Sequence, residues 1–228
     1  MLFSINKLKS IVGDSIDAFL LFVYPPYCAY CCIYLAMRTT LCSDCLVLIQ
    51  PIVSTQIKIT KKYTVKVLSA GVYKEPLRSL ILAKCRSDIV VAQQLGQLIW
   101  DMTYIKDRKV DYFVPIPLHW SRYAWRGFNQ SNEMANILSS NSGCAPVANI
   151  LRRNKKTVFQ STLKGQGRIE NVSDAFALKN IDYSLYSNKH IVLVDDLFTT
   201  GATLHAAARE LIKFKPASII AVVAGRVV

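Results

Sequence analysis

The chain has 228 residues, is 52% hydrophobic and carries 28 Lys/Arg against 15 Asp/Glu, a formal net charge of +13. That length suits one mid-sized domain plus a small appendage with a sizeable core, and the excess of cations draws such a protein to polyanions, nucleic acid first among them. Seven cysteines, an odd count with no convincing secretion signal, argue against a disulfide scaffold and for a reducing cytoplasm; internal repeats, low-complexity tracts, a Walker-type phosphate loop and a dinucleotide glycine fingerprint are all absent.

The pattern from about Ile5 to Val23 predicts an amphipathic helix docked on the protein or a partner. Ala18 to Met37 holds no charged side chain and is about as long as a membrane span, and Lys7 and Lys9 before it imitate a signal-peptide start. Pro25 and Pro26 break a continuous helix, no small-residue cleavage site follows, and a metal loop is the better reading, so the chain is not expected to be an integral membrane protein. Cys28-Ala29-Tyr30-Cys31 and Cys42-Ser43-Asp44-Cys45 are two C-x-x-C pairs on one short segment. Two such pairs complete a tetrahedral zinc site with no open position, hence a structural one; a redox C-x-x-C is the alternative, and it needs only one pair. Cys32, next to Cys31, competes with it for the role of ligand.

A polar stretch around Ser54 to Lys62 leads into a strand over Lys62 to Tyr73, and Pro76 opens a helix running to Lys84. Ile89 to Tyr104 has helical spacing, with Val90, Ala92, Leu95, Leu98, Ile99 and Met102 on one side. Tyr112 to Ile116 reads as a parallel strand, Asn129 to Leu138 as a helix, His190 to Val194 as a strand, Leu204 to Phe214 as its helix and Ser218 to Ala224 as a last buried strand. Strands alternating with helices predict an α/β fold with a doubly wound parallel sheet over 61–228, preceded by a cysteine-bearing segment over 1–60.

The chemistry concentrates at Ile191 to Leu204, I-V-L-V-D-D-L-F-T-T-G-A-T-L. A continuously apolar strand delivers Asp195 and Asp196 to its carboxyl end, where open α/β sheets bind ligands. Paired carboxylates accept hydrogen bonds from two ribose hydroxyls and help hold a divalent cation. Thr199, Thr200, Gly201, Ala202 and Thr203 form a loop opening a helix, so free N–H groups and the positive end of the dipole face an incoming 5′-phosphate. Trp120, Trp125 and Phe128 interleave with Arg122 and Arg126, an arrangement that stacks single-stranded bases or simply anchors the loop. Net charge alone does not separate nucleic-acid binding from sugar-phosphate binding. His119 reads as a packed or hydrogen-bonded loop histidine, with a general acid as the alternative, and His190 and His205 as flanks of the strand and helix.

The 191–204 string resembles the phosphoribosyl-diphosphate (PRPP) signature of type I phosphoribosyltransferases. Val114 to Gln130, V-P-I-P-L-H-W-S-R-Y-A-W-R-G-F-N-Q, and Gln160 to Phe176, Q-S-T-L-K-G-Q-G-R-I-E-N-V-S-D-A-F, resemble stretches of the ComF family, as do the cysteine-rich Phe22 to Cys45 and Tyr73 to Asp88, where Cys85 replaces a more usual aromatic. The resemblance covers nearly the whole chain. It implies a type I phosphoribosyltransferase fold with an N-terminal zinc-binding subdomain on Cys28, Cys31, Cys42 and Cys45, and a role in natural transformation. It implies Mg²⁺-dependent phosphoribosyl transfer from PRPP to an unknown acceptor, with Asp195 and Asp196 at the ribose hydroxyls and the metal. Thr199 to Thr203 then hold the 5′-phosphate and Pro117, Leu118 and His119 form the pyrophosphate loop. Arg122 and Arg126 serve as pyrophosphate ligands, Lys84 reaches the same region, and Arg168 and Asn171 sit in a covering loop. Thr199 stands where purine-salvage relatives often carry an acid, which argues against an ordinary hypoxanthine-like acceptor. Single-stranded DNA and a helicase-like member of the uptake machinery are the expected partners, at the inner face of the membrane or free in the cytoplasm. The alternative is a nucleic-acid-binding or scaffold protein on a catalytically retired phosphoribosyltransferase fold.

Overall fold

A computed structural model describes residues 27–36, 39, 41–83, 89–118, 123–124, 127–153 and 175–228. The helix expected over Ile5 to Val23 lies outside them. Among the described residues no helix is long and apolar enough to cross a membrane. The chain divides into two compact units, Met1–Leu48 and Ile49–Val228.

In the first unit a tight turn brings Cys28 to Cys31 round a bridge between Tyr27 and Tyr34. The Cys28 N–H donates to the Ile33 carbonyl at 2.8 Å, and the Cys32 N–H to the Cys28 carbonyl at 3.0 Å. Cys42 then opens a one-turn helix, α1 (Ser43–Leu46), whose Leu46 N–H donates back to the Cys42 carbonyl at 2.9 Å. Its described core is small: Cys28, Leu35, Leu41 and Cys45.

The second unit is built on a five-stranded sheet in the order β1-β2-β7-β6-β3. β1 (Thr55–Lys58) is antiparallel to β2 (Thr64–Val72), while β2, β7 (Ser218–Arg226), β6 (His190–Phe198) and β3 (Tyr112–Pro115) run parallel. The parallel strands are apolar on both faces because helices or a second sheet cover both. Ile191 and Leu193 of β6, Ala221 and Val223 of β7, and Val65 and Val67 of β2 join one cluster. That cluster is completed by α5 (Ala202–Leu211), with Leu204, Ala207, Ala208 and Leu211, and by a small antiparallel pair, β4 (Leu151–Arg153) and β5 (Phe176–Leu178). The alternate residues Leu68, Phe113, Val192, Val194 and Val222 point the other way. There the sheet meets α3 (Ile89–Met102) and α4 (Gln130–Ser142), with α2 (Leu77–Ala83) beside α3.

Several boundaries differ from the sequence reading. Thr55–Lys58 pairs with Thr64–Val67, so this polar stretch is an edge strand of the second unit; its exposed Gln56 and Lys58 hid it. The buried stripe of α3 is Val91, Ala92, Leu95, Gly96, Leu98 and Ile99; Val90 and Met102, at the helix ends, are exposed. Gly96 sits where α3 crosses α4, and a Cβ there would stand 2.9 Å from both the Cα and the carbonyl oxygen of Met134. α4 runs four residues past Leu138 and stops where Gly143 adopts φ +73°, a left-handed cap. β6 continues through both aspartates to Phe198.

A strand-tip acid pair and a four-sulphur cluster

The two sides of β6 end at different heights. On the β3 side the ladder stops at Pro115 opposite Val194, with the Ile116 N–H donating to the Val194 carbonyl at 2.9 Å. On the β7 side it continues to Phe198 opposite Arg226. Asp195 and Asp196 therefore lie on backbone that is held rigidly from one side and released by its neighbour on the other. Both are half-buried. One oxygen of Asp195, Oδ1, accepts the Asp196 N–H at 3.0 Å and the Ser131 hydroxyl at 3.4 Å.

Ser131 is in the first turn of α4, and Asn129 caps that helix. The Asn129 Oδ1 accepts the Ser131 N–H at 3.3 Å, and its Nδ2 donates to the Ile116 carbonyl at 3.0 Å. One side chain thus ties the amino end of α4 to the end of β3, and the next turn brings a hydroxyl to Asp195. Gln130 between them is buried, and among the described residues its Nε2 donates to nothing.

After Phe198 the chain bends through exposed Thr199 and Thr200 to Gly201 at φ +77°. That backbone favours glycine, and a Cβ there would stand 2.9 Å from Cε2 of Phe198. α5 starts at Ala202, and its first intrahelical bond is from the His205 N–H to the Gly201 carbonyl at 2.8 Å. The N–H groups of Thr203 and Leu204 precede that bond and have no acceptor in the helix; that of Ala202 reaches the Thr200 hydroxyl at 3.5 Å. The result is an amide-lined bend at the positive end of a ten-residue helix, a ready anion site.

Asp195 and Asp196 lie near the end of β6 and the bend Thr199–Thr203 follows it, while Pro117 and Leu118, both half-buried, follow the parallel neighbour β3. His119, Arg122, Arg126, Lys84, Arg168 and Asn171 lie outside the described residues. Asn129 and Ser131 are what sequence reasoning missed. Asn129 was visible as the end of the R-G-F-N-Q stretch and a good N-cap, but its bond to Ile116 joins residues 13 positions apart. His190 sits at the opposite end of β6, its Nδ1 2.8 Å from the Ser218 Oγ. His205 is half-buried in α5, where burial, and then Arg209, hold its imidazole below the ordinary histidine range.

In the first unit the sulphurs of Cys28, Cys31, Cys42 and Cys45 all lie within 4.8 Å of one another, and those of Cys31 and Cys42 are 3.7 Å apart. A tetrahedron with Zn–S bonds of about 2.3 Å has edges of roughly 3.8 Å, so four thiolates at this spacing fit a closed, structural zinc site. Cys32, at φ +60° and exposed, stands outside the cluster, and Cys31 is its fourth member. Burial pushes the Cys28 thiol up, but N–H groups of Cys31, Cys42 and Tyr30 outweigh it and bring the group to about 6. Burial raises the Cys45 thiol, and its three sulphur neighbours push it further the same way. Crowded thiols of this kind ionise together when a cation is there to share.

Comparison with known proteins bears on the family of the chain. Residues 117–226 match the phosphoribosyl transferase domain family. The chain is 28% identical over 196 residues to competence protein F of Haemophilus influenzae, covering 82% of this chain and 79% of that one. It is 31% identical over 161 residues to the DNA utilization protein YhgH of Salmonella typhi, covering 68% and 69%. Against competence protein ComFC of Bacillus subtilis the identity is 41% over 108 residues, 46% of this chain and 40% of that one. A sheet whose acid pair and anion-ready bend fall inside the matched domain, behind a four-cysteine segment, places this chain in the ComF/ComFC/YhgH family of proteins built on a phosphoribosyl transferase domain.

Proposed function

We propose that this protein binds PRPP at the β6–α5 bend and serves DNA uptake, acting together with single-stranded DNA. The phosphoribosyl transferase domain and the competence and DNA-utilization names of its relatives support the role in uptake. The observation that carries the ligand is the pairing of two chemistries at one strand tip. Asp195 and Asp196 accept the two ribose hydroxyls, and the N–H groups and hydroxyls of Thr199 to Thr203 take the 5′-phosphate. Pro117 and Leu118, at the end of the neighbouring strand, lie where the pyrophosphate loop belongs, with His119, Arg122, Arg126, Lys84 and Arg168 as its remaining candidates. A bound Mg²⁺ supplies neutralisation of the pyrophosphate charge. The carboxylates hold the ribose while its C1–O bond to pyrophosphate breaks and a bond from C1 to an acceptor forms. Zinc on the four cysteines has a structural role.

Titration of the wild-type protein with PRPP and Mg²⁺ by calorimetry tests this reading. Saturable binding with one site per chain is expected, weakened when Mg²⁺ is omitted and weaker still for ribose 5-phosphate, which lacks the pyrophosphate. Absence of binding heat for PRPP across temperatures would overturn it.

A further inference from the structure

The acid pair occupies the carboxyl end of the parallel strands. The opposite end is where the described cations gather. β1 runs antiparallel and pairs Lys58 with Thr64, so the β1–β2 turn, with exposed Lys61 and Lys62, lies at the amino end of β2. Lys66, one turn of the pleat further on, lies over the Tyr104 ring at 4.9 Å from its centre, and Arg108 covers the same ring at 4.9 Å. From Tyr104 beside β2 the chain crosses to Tyr112 at the start of β3, exposing Lys106 and Lys109 on the way. The sheet order puts β7 and β6 between those strands, so this crossing spans three strand spacings, about 14 Å. Lys213 and Lys215, before β7, and Lys189, before β6, add to the same end.

The acids there do not balance them. Asp111 holds Lys189 at 3.8 Å and Glu210 holds Lys213 at 2.7 Å. Asp182 accepts the Ser184 N–H, and Asp107 is exposed. Lys58, Lys61, Lys62, Lys106, Lys109 and Lys215 make no ion pair among the described residues. Aromatic rings accompany the charge: Tyr183, 46% exposed, packs edge-on against Phe214, and Tyr63 and Tyr112 are half-buried.

We infer that the amino end of the sheet is a single-stranded nucleic-acid binding surface, on the face of the second unit opposite the PRPP site. It rests on the nucleic-acid part of the function proposed above and not on the PRPP part. A line of exposed cations about 14 Å long, interrupted by tyrosines, suits a flexible phosphodiester strand, whose charges follow the line while its bases meet the rings. A small anion would gain little from charges so spread.

The test is fluorescence anisotropy of the full chain with a labelled 20-nucleotide deoxythymidine strand over a range of salt. Two double variants change net charge equally: Lys61→Glu/Lys62→Glu at this end, and Lys74→Glu/Arg78→Glu beyond the carboxyl end of β2. The first is expected to weaken binding by at least about tenfold and to flatten the dependence of log K on log salt by about 1.4, the loss of two phosphate contacts. The second is expected to stay within about threefold of wild type, as distant surface charges are screened. Equal weakening by both variants would overturn the inference, since net charge alone would then explain it. So would a wild-type protein that ignores the strand at low salt while sedimenting with anionic phosphatidylserine vesicles. PRPP calorimetry on the first variant is expected to match wild type. Strand binding that depends on Lys61 and Lys62 in a protein that shows no PRPP heat would support this inference while sinking the PRPP reading.

Discussion

Asp195→Asn combined with Asp196→Asn is expected to weaken PRPP binding by about a hundredfold or more. A hydrogen bond to a charged group contributes roughly 1.5–3 kcal/mol, and two of them, lost together, correspond to two or more powers of ten in affinity. Loss of negative charge also weakens the hold on a metal shared with the pyrophosphate. The described backbone bond and hydroxyl bond of Asp195 survive the change. The Asp195 Oδ1 accepts the Asp196 N–H and the Ser131 hydroxyl, and an asparagine oxygen can accept both. Calorimetry of the double variant beside wild type, with thermal melts of each, separates the two effects. A variant that melts like wild type and binds PRPP within about threefold of it would remove the acid pair from the site.

Removal of zinc is expected to unfold the described part of the first unit and leave the sheet of the second intact. Its described core is little more than Cys28, Leu35, Leu41 and Cys45, too few apolar groups to order the segment alone. Where a segment folds around zinc, metal binding of about 10–16 kcal/mol is its folding free energy. Elemental analysis should find about one zinc per chain in wild type, a large loss in Cys28→Ser/Cys45→Ser, and no change in Cys32→Ser, whose sulphur stands outside the cluster. Hydrogen exchange should show the amides of Cys28 and Leu46, which close the two turns at 2.8 and 2.9 Å, losing protection with the metal. Protection of those amides that survives complete chelation would contradict a metal-dependent fold.

The parts of this molecule that could be read from its residues are those where one physical demand acts along a continuous stretch. β2, β6 and β7 are buried on both faces, and a run such as I-V-L-V has few other uses. The two C-x-x-C pairs put four thiols on a short segment, and only Leu197 and Phe198 separate the acids from the Thr/Gly bend. What escaped depends on contacts between distant segments. β1, β4 and β5 have four, three and three residues, and each exists only through its partner strand. The aspartates looked like the end of β6, because charged residues usually leave a strand there; pairing with β7 carries the strand to Phe198, four residues past Val194. Ser131 is an ordinary helix serine until α4 packs on the sheet 64 residues from Asp195 in sequence. That Cys31 and not Cys32 joins the sulphur cluster shows only once the chain folds.

The most direct measurement is a crystal of the full chain grown with PRPP and Mg²⁺. Density for the 5′-phosphate is expected against the N–H groups of Thr199 to Thr203, with the ribose hydroxyls on Asp195 and Asp196. PRPP bound elsewhere on the protein, or a clear and accessible bend left empty at saturating ligand, would contradict it.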